Sequence, residues 1–344
     1  MKILVTGAAG FIGMHLIQTL VKDKFKIIGI DNLNDYYDVR LKKDRLRNNG
    51  IDLLQDEIGT FALASTKYPN FKFYRADITN RVIIEKIFAD EKFDIVVNLA
   101  AQAGVRYSIT NPESYINVNI TGFFNILDCC RMYNIREFIY ASSSSVYGNE
   151  HTVPFNTNAN TDSPVSLYAA TKKANELIAH AYSNIYKLKT IGLRFFTVYG
   201  PYGRPDMAYY SFTKDILSGK KIKVFNEGNL LRDFTFIDDV IQGIMLIMKN
   251  PSKVIYSSNN PYYKLYNIGN SKPVNLLTFI EIIEKELGKK ANKDFLPMQL
   301  GDVEITYADV SDLQNELNYR PNTPLEYGIK KFVEWYKEYY FHHS

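Results

Sequence analysis

Cysteine is nearly absent: the 344 residues hold two, Cys129 and Cys130, adjacent in a stretch of helical period. Two such neighbours cannot supply a disulfide framework, so the chain reads as one of a reducing compartment, and a cytoplasmic location is expected. An excess of one charge is missing too. Lys and Arg number 41 against 37 Asp and Glu, a formal net charge of +4. That balance gives no reason to expect nucleic acid or a membrane surface as partner, and leaves room only for a local basic pocket facing an anionic ligand. No apolar run approaches the roughly 18 residues that a membrane-crossing helix needs. No signal peptide is expected, because residues 2–6 already read as an apolar strand running into glycines. Internal repeats and low-complexity tracts are lacking, and no metal is expected. What is present, 46% apolar and 23% charged residues, is the composition of a globular chain long enough for one large or two modest domains.

Through the first half, short apolar runs alternate with amphipathic stretches. Strands are predicted at 2–6, 26–31, 71–75, 94–99, 136–141 and 189–194, and helices at 11–23, 80–90, 113–133 and 167–185. Strands alternating with helices specify βαβ units, hence an α/β fold with a Rossmann-type, doubly wound parallel sheet. The stretch 32–70 breaks the rhythm; it is polar and charged at 38–49 and is expected to carry extra helix over an irregular insertion. Beyond residue 195 the pattern loosens, with helices predicted at 208–218, 238–249, 274–287 and 325–340 and strands near 222–225, 232–236 and 264–268. The expected division is a dinucleotide-binding domain over 1–195, including part of the active site, and a smaller substrate-binding region mainly over 196–344. Whether later segments return to the large domain is left open.

The first predicted strand runs into Gly7-Ala8-Ala9-Gly10-Phe11-Ile12-Gly13. Glycines permit a tight turn and let backbone N–H groups approach a pyrophosphate at a helix N-terminus. The GxxGxxG spacing differs by one residue from the commoner GxGxxG, but strand, turn and helix follow in the required order. The second strand ends in Asp31, 18 residues after Gly13, where a ribose-binding carboxylate belongs. A carboxylate there favours NAD over NADP, since it repels a 2′-phosphate.

Tyr168 and Lys172 stand four apart in Ser166-Leu167-Tyr168-Ala169-Ala170-Thr171-Lys172 and share one face of a predicted helix. An ammonium close to a phenol favours the phenolate, which makes a general base. Upstream, the run Ser142-Ser143-Ser144-Ser145 follows a predicted strand and offers a hydroxyl to hydrogen-bond a substrate oxygen.

Together these pieces resemble the extended short-chain dehydrogenase/reductase family, over essentially the whole chain. Within that family the sequence is similar to UDP-glucuronate 4-epimerases. The stretches that carry this are Asp31-Asn32-Leu33-Asn34-Asp35-Tyr36-Tyr37-Asp38, Ala101-Gln102-Ala103-Gly104-Val105-Arg106-Tyr107-Ser108, Tyr199-Gly200-Pro201-Tyr202-Gly203-Arg204-Pro205-Asp206-Met207-Ala208 and Pro297-Met298-Gln299-Leu300-Gly301-Asp302-Val303. Leu300 departs from the proline usual in these epimerases. The resemblance implies Tyr168 as base, Lys172 as holder of the nicotinamide ribose and Ser143 as catalytic hydroxyl. It implies a tightly bound NAD, regenerated each cycle. Gly7, Gly10, Phe11, Ile12 and Gly13 would bind its pyrophosphate, and Asp31 and Asn32 its adenosine ribose. Asp77 and Ile78 would flank the adenine, and Leu99 and Ala101 would line the cofactor. For a UDP-sugar substrate it implies Arg232 at the phosphates, Thr197 at the sugar or diphosphate, and Gln299 and Asp302 at the uridine end. Ser143 also belongs to the substrate set.

A uronate carboxylate calls for a positive or donor-rich contact; Arg204 and Arg106 are candidates, since a guanidinium can hold it with two parallel hydrogen bonds, and the backbone donors of the Arg204 loop are an alternative. The expected reaction is 4-epimerisation of a UDP-sugar, most specifically UDP-glucuronate to UDP-galacturonate, through a 4-keto intermediate. A UDP-glucuronate decarboxylase and a neutral UDP-hexose 4-epimerase are the enzymatic alternatives, and an NAD-binding redox-sensing scaffold the non-enzymatic one. Relatives that act as dehydratases place an Asp-Glu pair in the region of the serine run, where Ser143-Ser144 stand here. A homodimer built on two helices per subunit, 113–133 and 167–185, is also implied.

Overall fold

The structure, a computed structural model, describes residues 1–53, 61–256, 258–299 and 303–341. The chain divides into two compact units. The first comprises Met1–Val146, Thr161–Arg194 and Ser252–Tyr266; the second comprises Tyr147–Asn160, Phe195–Pro251 and Asn267–Ser344.

In the first unit the strands β1 (Lys2–Thr6), β2 (Lys26–Asp31), β3 (Leu63–Ala64), β4 (Phe71–Arg75), β5 (Ile95–Asn98), β6 (Glu137–Ser143) and β7 (Lys189–Phe195) share a sheet with the later strand Tyr263–Ile268. The order across the sheet is Tyr263–Ile268, β7, β6, β5, β1, β2, β4, β3. β1 lies parallel between β2 and β5, β2 pairs parallel with β4, and β5 with β6; only short β3 is seen to run antiparallel, on β4. The chain thus winds outward from β1 to β4, then returns to lay β5 on the other side of β1. In such sheets the ligand crevice lies at the carboxyl ends of the strands where this reversal occurs, here β1 and β5. Residues 3–5, 95–97 and 138–140 are buried without alternation, as expected of strands covered on both faces.

The helices Phe11–Leu20, Arg81–Glu91 and Leu167–Tyr186 form where the 3.6-residue period places them, and Val39–Asn48 supplies the extra helix of the polar stretch. The predicted helix 113–133 forms as unbroken helix over 112–132, with a π-helical stretch that the sequence pattern does not show. It consists of Pro112–Tyr115, a π-helical segment Ile116–Gly122, and Phe123–Met132. The widened turn accompanies buried Asn119, whose amide bonds to groups outside the helix instead of facing solvent.

The second unit holds a three-stranded sheet of Thr197–Tyr199, Leu231–Phe236 and Pro273–Asn275, and a parallel pair Lys221–Phe225 with Asn292–Leu296. The helices Ala208–Leu217, Ile237–Lys249, Leu276–Leu287 and Leu325–Phe341 match the sequence pattern; Ser311–Leu317 and the strands at 197–199, 273–275 and 292–296 are additional. Helix Leu325–Phe341 packs aromatics on helix Ala208–Leu217 and on the loop before it: Phe332 lies 4.8 Å from Tyr209, and Trp335 lies 4.8 Å from Tyr202, measured between ring centroids. Among the described residues no helix is long and apolar enough to cross a membrane.

One buried group stands apart from any site. Glu137 opens β6, is 1% exposed, and neither carboxylate oxygen has a hydrogen-bond partner among the described residues. Burial pushes its carboxyl up to about 7, against the pull of nearby Arg136 and Lys189. The unfolded chain releases this proton near 4.5, the folded chain only near 7. The stability gained by keeping the group neutral is therefore whole below pH 4.5 and lost as pH rises to 7. Glu137→Gln should stabilise the chain by about 3 kcal/mol at pH 8 and by almost nothing at pH 4.5. Urea unfolding of both proteins at the two pH values checks this; equal differences at both would refute it.

Candidate active site

The turn after β1 is shaped by close approach. Gly7 has φ +69°, and a Cβ on it would lie 2.9 Å from the Ala100 nitrogen and 3.0 Å from the Leu99 carbonyl carbon. A Cβ on Gly13 would stand 2.1 Å from the Gly7 oxygen, and Gly10 N–H donates to that oxygen at 2.9 Å. The glycine spacing is thus the packing of the turn against the segment after β5 and of the helix against the turn. Thr6 and Asn98, at the adjacent strand ends, are joined by a hydroxyl-to-amide hydrogen bond of 2.5 Å, and Ala100 N–H donates to Thr6 Oγ1 at 3.1 Å. Helix Phe11–Leu20 begins here with no side-chain cap, leaving its first N–H groups for a ligand. Phe11 is buried and Ile12 half-buried.

Asp31 ends β2 with its side chain buried. Its carboxylate accepts from Ala9 N–H at 3.1 Å and Leu33 N–H at 2.8 Å, so the acid expected at the ribose also holds the glycine turn. Asn32 donates to Asp77 Oδ2 at 2.8 Å, while Asp77 Oδ1 accepts from the Thr79 N–H and hydroxyl at 2.8 and 2.7 Å. The carbonyl of buried Ile78 accepts from Asn125 at 2.9 Å. Asn32 and Asp77, predicted separately, are therefore direct partners. Leu99 and Ala101 are half-buried on the segment after β5. Asn119 secures that segment, accepting from Gln102 N–H at 2.8 Å and donating to Gln102 O at 3.0 Å and Thr171 Oγ1 at 3.1 Å.

Helix Leu167–Tyr186 starts where Ser166 Oγ accepts from Ala169 N–H at 3.1 Å, placing Tyr168 and Lys172 in its first two turns. Lys172 is 3% exposed; its ammonium lies 6.0 Å from the Tyr168 ring centroid and donates to the Ala141 carbonyl at 2.9 Å. That carbonyl belongs to β6, the strand that ends in Ser143. Ser143 Oγ accepts from Ser145 N–H at 3.2 Å and donates to Ser145 Oγ at 3.1 Å. The Tyr115 ring meets Tyr168 edge-on, at 6.1 Å and 78°. Behind the pair, Arg194 forms a bidentate ion pair with Glu176 at 2.8 and 2.8 Å, and Ser142 Oγ donates to Glu176 at 2.6 Å.

Arg106 is exposed at the start of helix Tyr107–Thr110. In the second unit, Thr197 opens a strand and pairs with Phe234. Arg232 donates to the carbonyls of Leu231 and Glu304, both at 3.0 Å. Arg204 directs Nε and Nη2 at the two oxygens of the Asp206 carboxylate. The buried Gln299 Oε1 has no hydrogen-bond partner among the described residues. Asp302 and Leu300 lie outside the described residues. Sequence reasoning missed Asn119, the Glu176–Arg194 pair and Asp206. Only Glu176 had a signal within reach, because it falls one helical turn after Lys172.

The NAD dependent epimerase/dehydratase family matches residues 3–269. Protein CapI of Staphylococcus aureus is 50% identical over 99% of this chain and 99% of its own length. UDP-glucuronate 4-epimerase 4 of Arabidopsis thaliana is 45% identical over 98% of this chain and 76% of its own. The crystal structure of UDP-glucuronic acid 4-epimerase from Bacillus cereus, in complex with UDP-glucuronic acid and NAD, superposes with a TM-score of 0.86 at 34% identity, over 99% of this chain and 100% of that one.

Proposed function

Since the chain belongs to the NAD dependent epimerase/dehydratase family, we propose that it is an NAD-dependent UDP-sugar 4-epimerase that converts UDP-glucuronate to UDP-galacturonate through a transient 4-keto sugar. The observation that carries the chemistry is Lys172, anchored to the strand of Ser143 and set one turn from Tyr168. The similarity to UDP-glucuronate 4-epimerases supports the substrate.

The residues fit NAD. Gly7 and Gly13 occupy positions where a Cβ would collide with backbone, and a buried carboxylate ends β2. Gly7, Gly10, Phe11, Ile12 and Gly13 would hold the pyrophosphate, Asp31 and Asn32 the ribose, Asp77 and Ile78 the adenine, and Leu99 and Ala101 the adjoining face. When bound, the nicotinamide supplies the acceptor, and then the donor, of the sugar C4 hydrogen. Tyr168 takes the C4 hydroxyl proton and later returns it, Ser143 hydrogen-bonds the same oxygen, and Lys172 steadies the nicotinamide ribose. Arg232 would meet the nucleotide phosphates, Thr197 the sugar or diphosphate, Gln299 and Asp302 the uridine end, and Arg204 or Arg106 the sugar carboxylate. A 4-keto uronate is a β-keto acid and loses CO2 readily, so the guanidinium that grips the carboxylate also restrains that loss.

The same reading includes a homodimer in the cytoplasm. Ile116, Phe124, Leu177 and Ile185 are exposed apolar residues of the segment 116–132 and of helix Leu167–Tyr186. Phe124 and Tyr182 touch across these two elements, with ring centroids 6.1 Å apart, so the elements adjoin. The two cysteines are free and buried, which suits a reducing compartment.

Incubating the purified chain with UDP-glucuronate, without added NAD, should yield UDP-galacturonate on chromatographic separation. A UDP-pentose or its 4-keto precursor would move the assignment to decarboxylation. Conversion of neutral UDP-hexoses alone would replace the uronate.

A further inference from the structure

β1 stands between β5 and β2, and the phosphate-binding turn follows β1. The segments that follow its two neighbours leave the sheet on opposite sides of that turn. They do not stay apart. Tyr36, five residues beyond β2, and Tyr107, beyond β5, meet with ring centroids 4.8 Å apart at 49°.

Both ends of this contact are braced. Tyr36 rests on Tyr37 at 5.9 Å, and the Tyr37 hydroxyl accepts from Arg45 at 2.5 Å. Arg45 is fully buried and donates as well to the Ala9 carbonyl, in the glycine turn itself, at 3.2 Å. On the other side Tyr107 lies 6.3 Å from Tyr115, and its hydroxyl accepts from Asn111 at 2.7 Å. Buried Tyr115 donates to the Ala103 carbonyl at 2.8 Å, and its ring reaches Tyr168. A line of aromatic contacts thus runs from the segment after Asp31 through Tyr107 and Tyr115 to Tyr168.

We propose that Tyr36 and Tyr107 form a latch across the cofactor crevice that retains NAD between turnovers. The inference rests on the epimerase reading. An epimerisation returns NAD to its starting state, so the chemistry never requires the cofactor to leave, and a closure that slows its release carries no kinetic penalty. A dehydrogenase, which must exchange its nicotinamide every cycle, could not carry such a closure without losing rate.

The test compares the wild-type chain with Tyr36→Ala, Tyr107→Ala and Tyr36→Phe. Bound nucleotide is quantified after denaturation, and exchange of bound NAD with isotopically labelled NAD is followed by gel filtration. Wild type and Tyr36→Phe, which keeps the ring, should carry near-stoichiometric NAD and exchange slowly. Tyr36→Ala and Tyr107→Ala should exchange about 10-fold faster, the scale of one lost aromatic pair, and emerge depleted. Thermal unfolding identifies the folded variants, and Tyr107→Leu replaces Tyr107→Ala if the latter unfolds. Folded alanine or leucine variants that exchange at the wild-type rate overturn the latch and leave the epimerase reading standing. A wild-type chain that neither carries nor takes up NAD overturns both.

Discussion

Tyr168→Phe lowers turnover of UDP-glucuronate by about 10³-fold, while the purified chain keeps its NAD. The substitution removes one oxygen and nothing else. The Phe ring keeps its edge contact with Tyr115. Lys172 is held by the Ala141 carbonyl, not by the phenol alone, so the group assigned to the nicotinamide ribose stays where it is. What disappears is the acceptor of the C4 hydroxyl proton, and no other residue of the helix's first turn can replace it. The measurement is turnover by chromatography alongside bound NAD per chain. Wild-type rates in this variant would remove Tyr168 from the mechanism; loss of NAD together with activity would make its role structural.

Glu176→Ala should cost the fold about 3–5 kcal/mol. The Glu176 and Arg194 side chains are each 2% exposed, and the substitution takes the bidentate carboxylate away from a buried guanidinium. Ser142 loses its acceptor at the same time. The consequence reaches the site, since Glu176 is one turn from Lys172 and Ser142 separates Ala141 from Ser143. Chemical unfolding measures the loss. A double replacement, Glu176→Leu with Arg194→Met, should recover much of it, because apolar groups of similar volume leave no unpaired charge. A single variant as stable as wild type would show that the pair contributes little.

Most of the first unit was legible because its signals are local. Uninterrupted apolar runs such as residues 3–5 mark strands covered on both faces, and Tyr168 and Lys172 share a helix face by spacing alone. The glycine spacing was legible as a turn, but its physical reason, the collision of a Gly13 side chain with the Gly7 carbonyl, needed three dimensions. The π-helical segment at 116–122 escaped because the contacts that accompany it, from Asn119 to Gln102 and Thr171, are non-local, the latter 52 residues away in sequence. Glu176 and Arg194 were unreadable as a pair for the same reason, one lying on a helix and the other on the neighbouring strand β7. In the second unit, strands of three residues such as Pro273–Asn275 are too short to show alternation and exist only through their partners. Arg204 was placed as a carboxylate grip from its loop; that Asp206 already occupies two of its donors could not be seen from spacing.

Trp335 is the only tryptophan in the sequence. Its indole lies against Tyr202, two residues before Arg204 in the same loop. Its fluorescence is therefore an intrinsic optical label for that loop. A UDP-sugar that moves Tyr202 would change the polarity and quenching around a single emitter, and its titration would then be followed on the unmodified protein, with no dye, no coupled enzyme and no turnover.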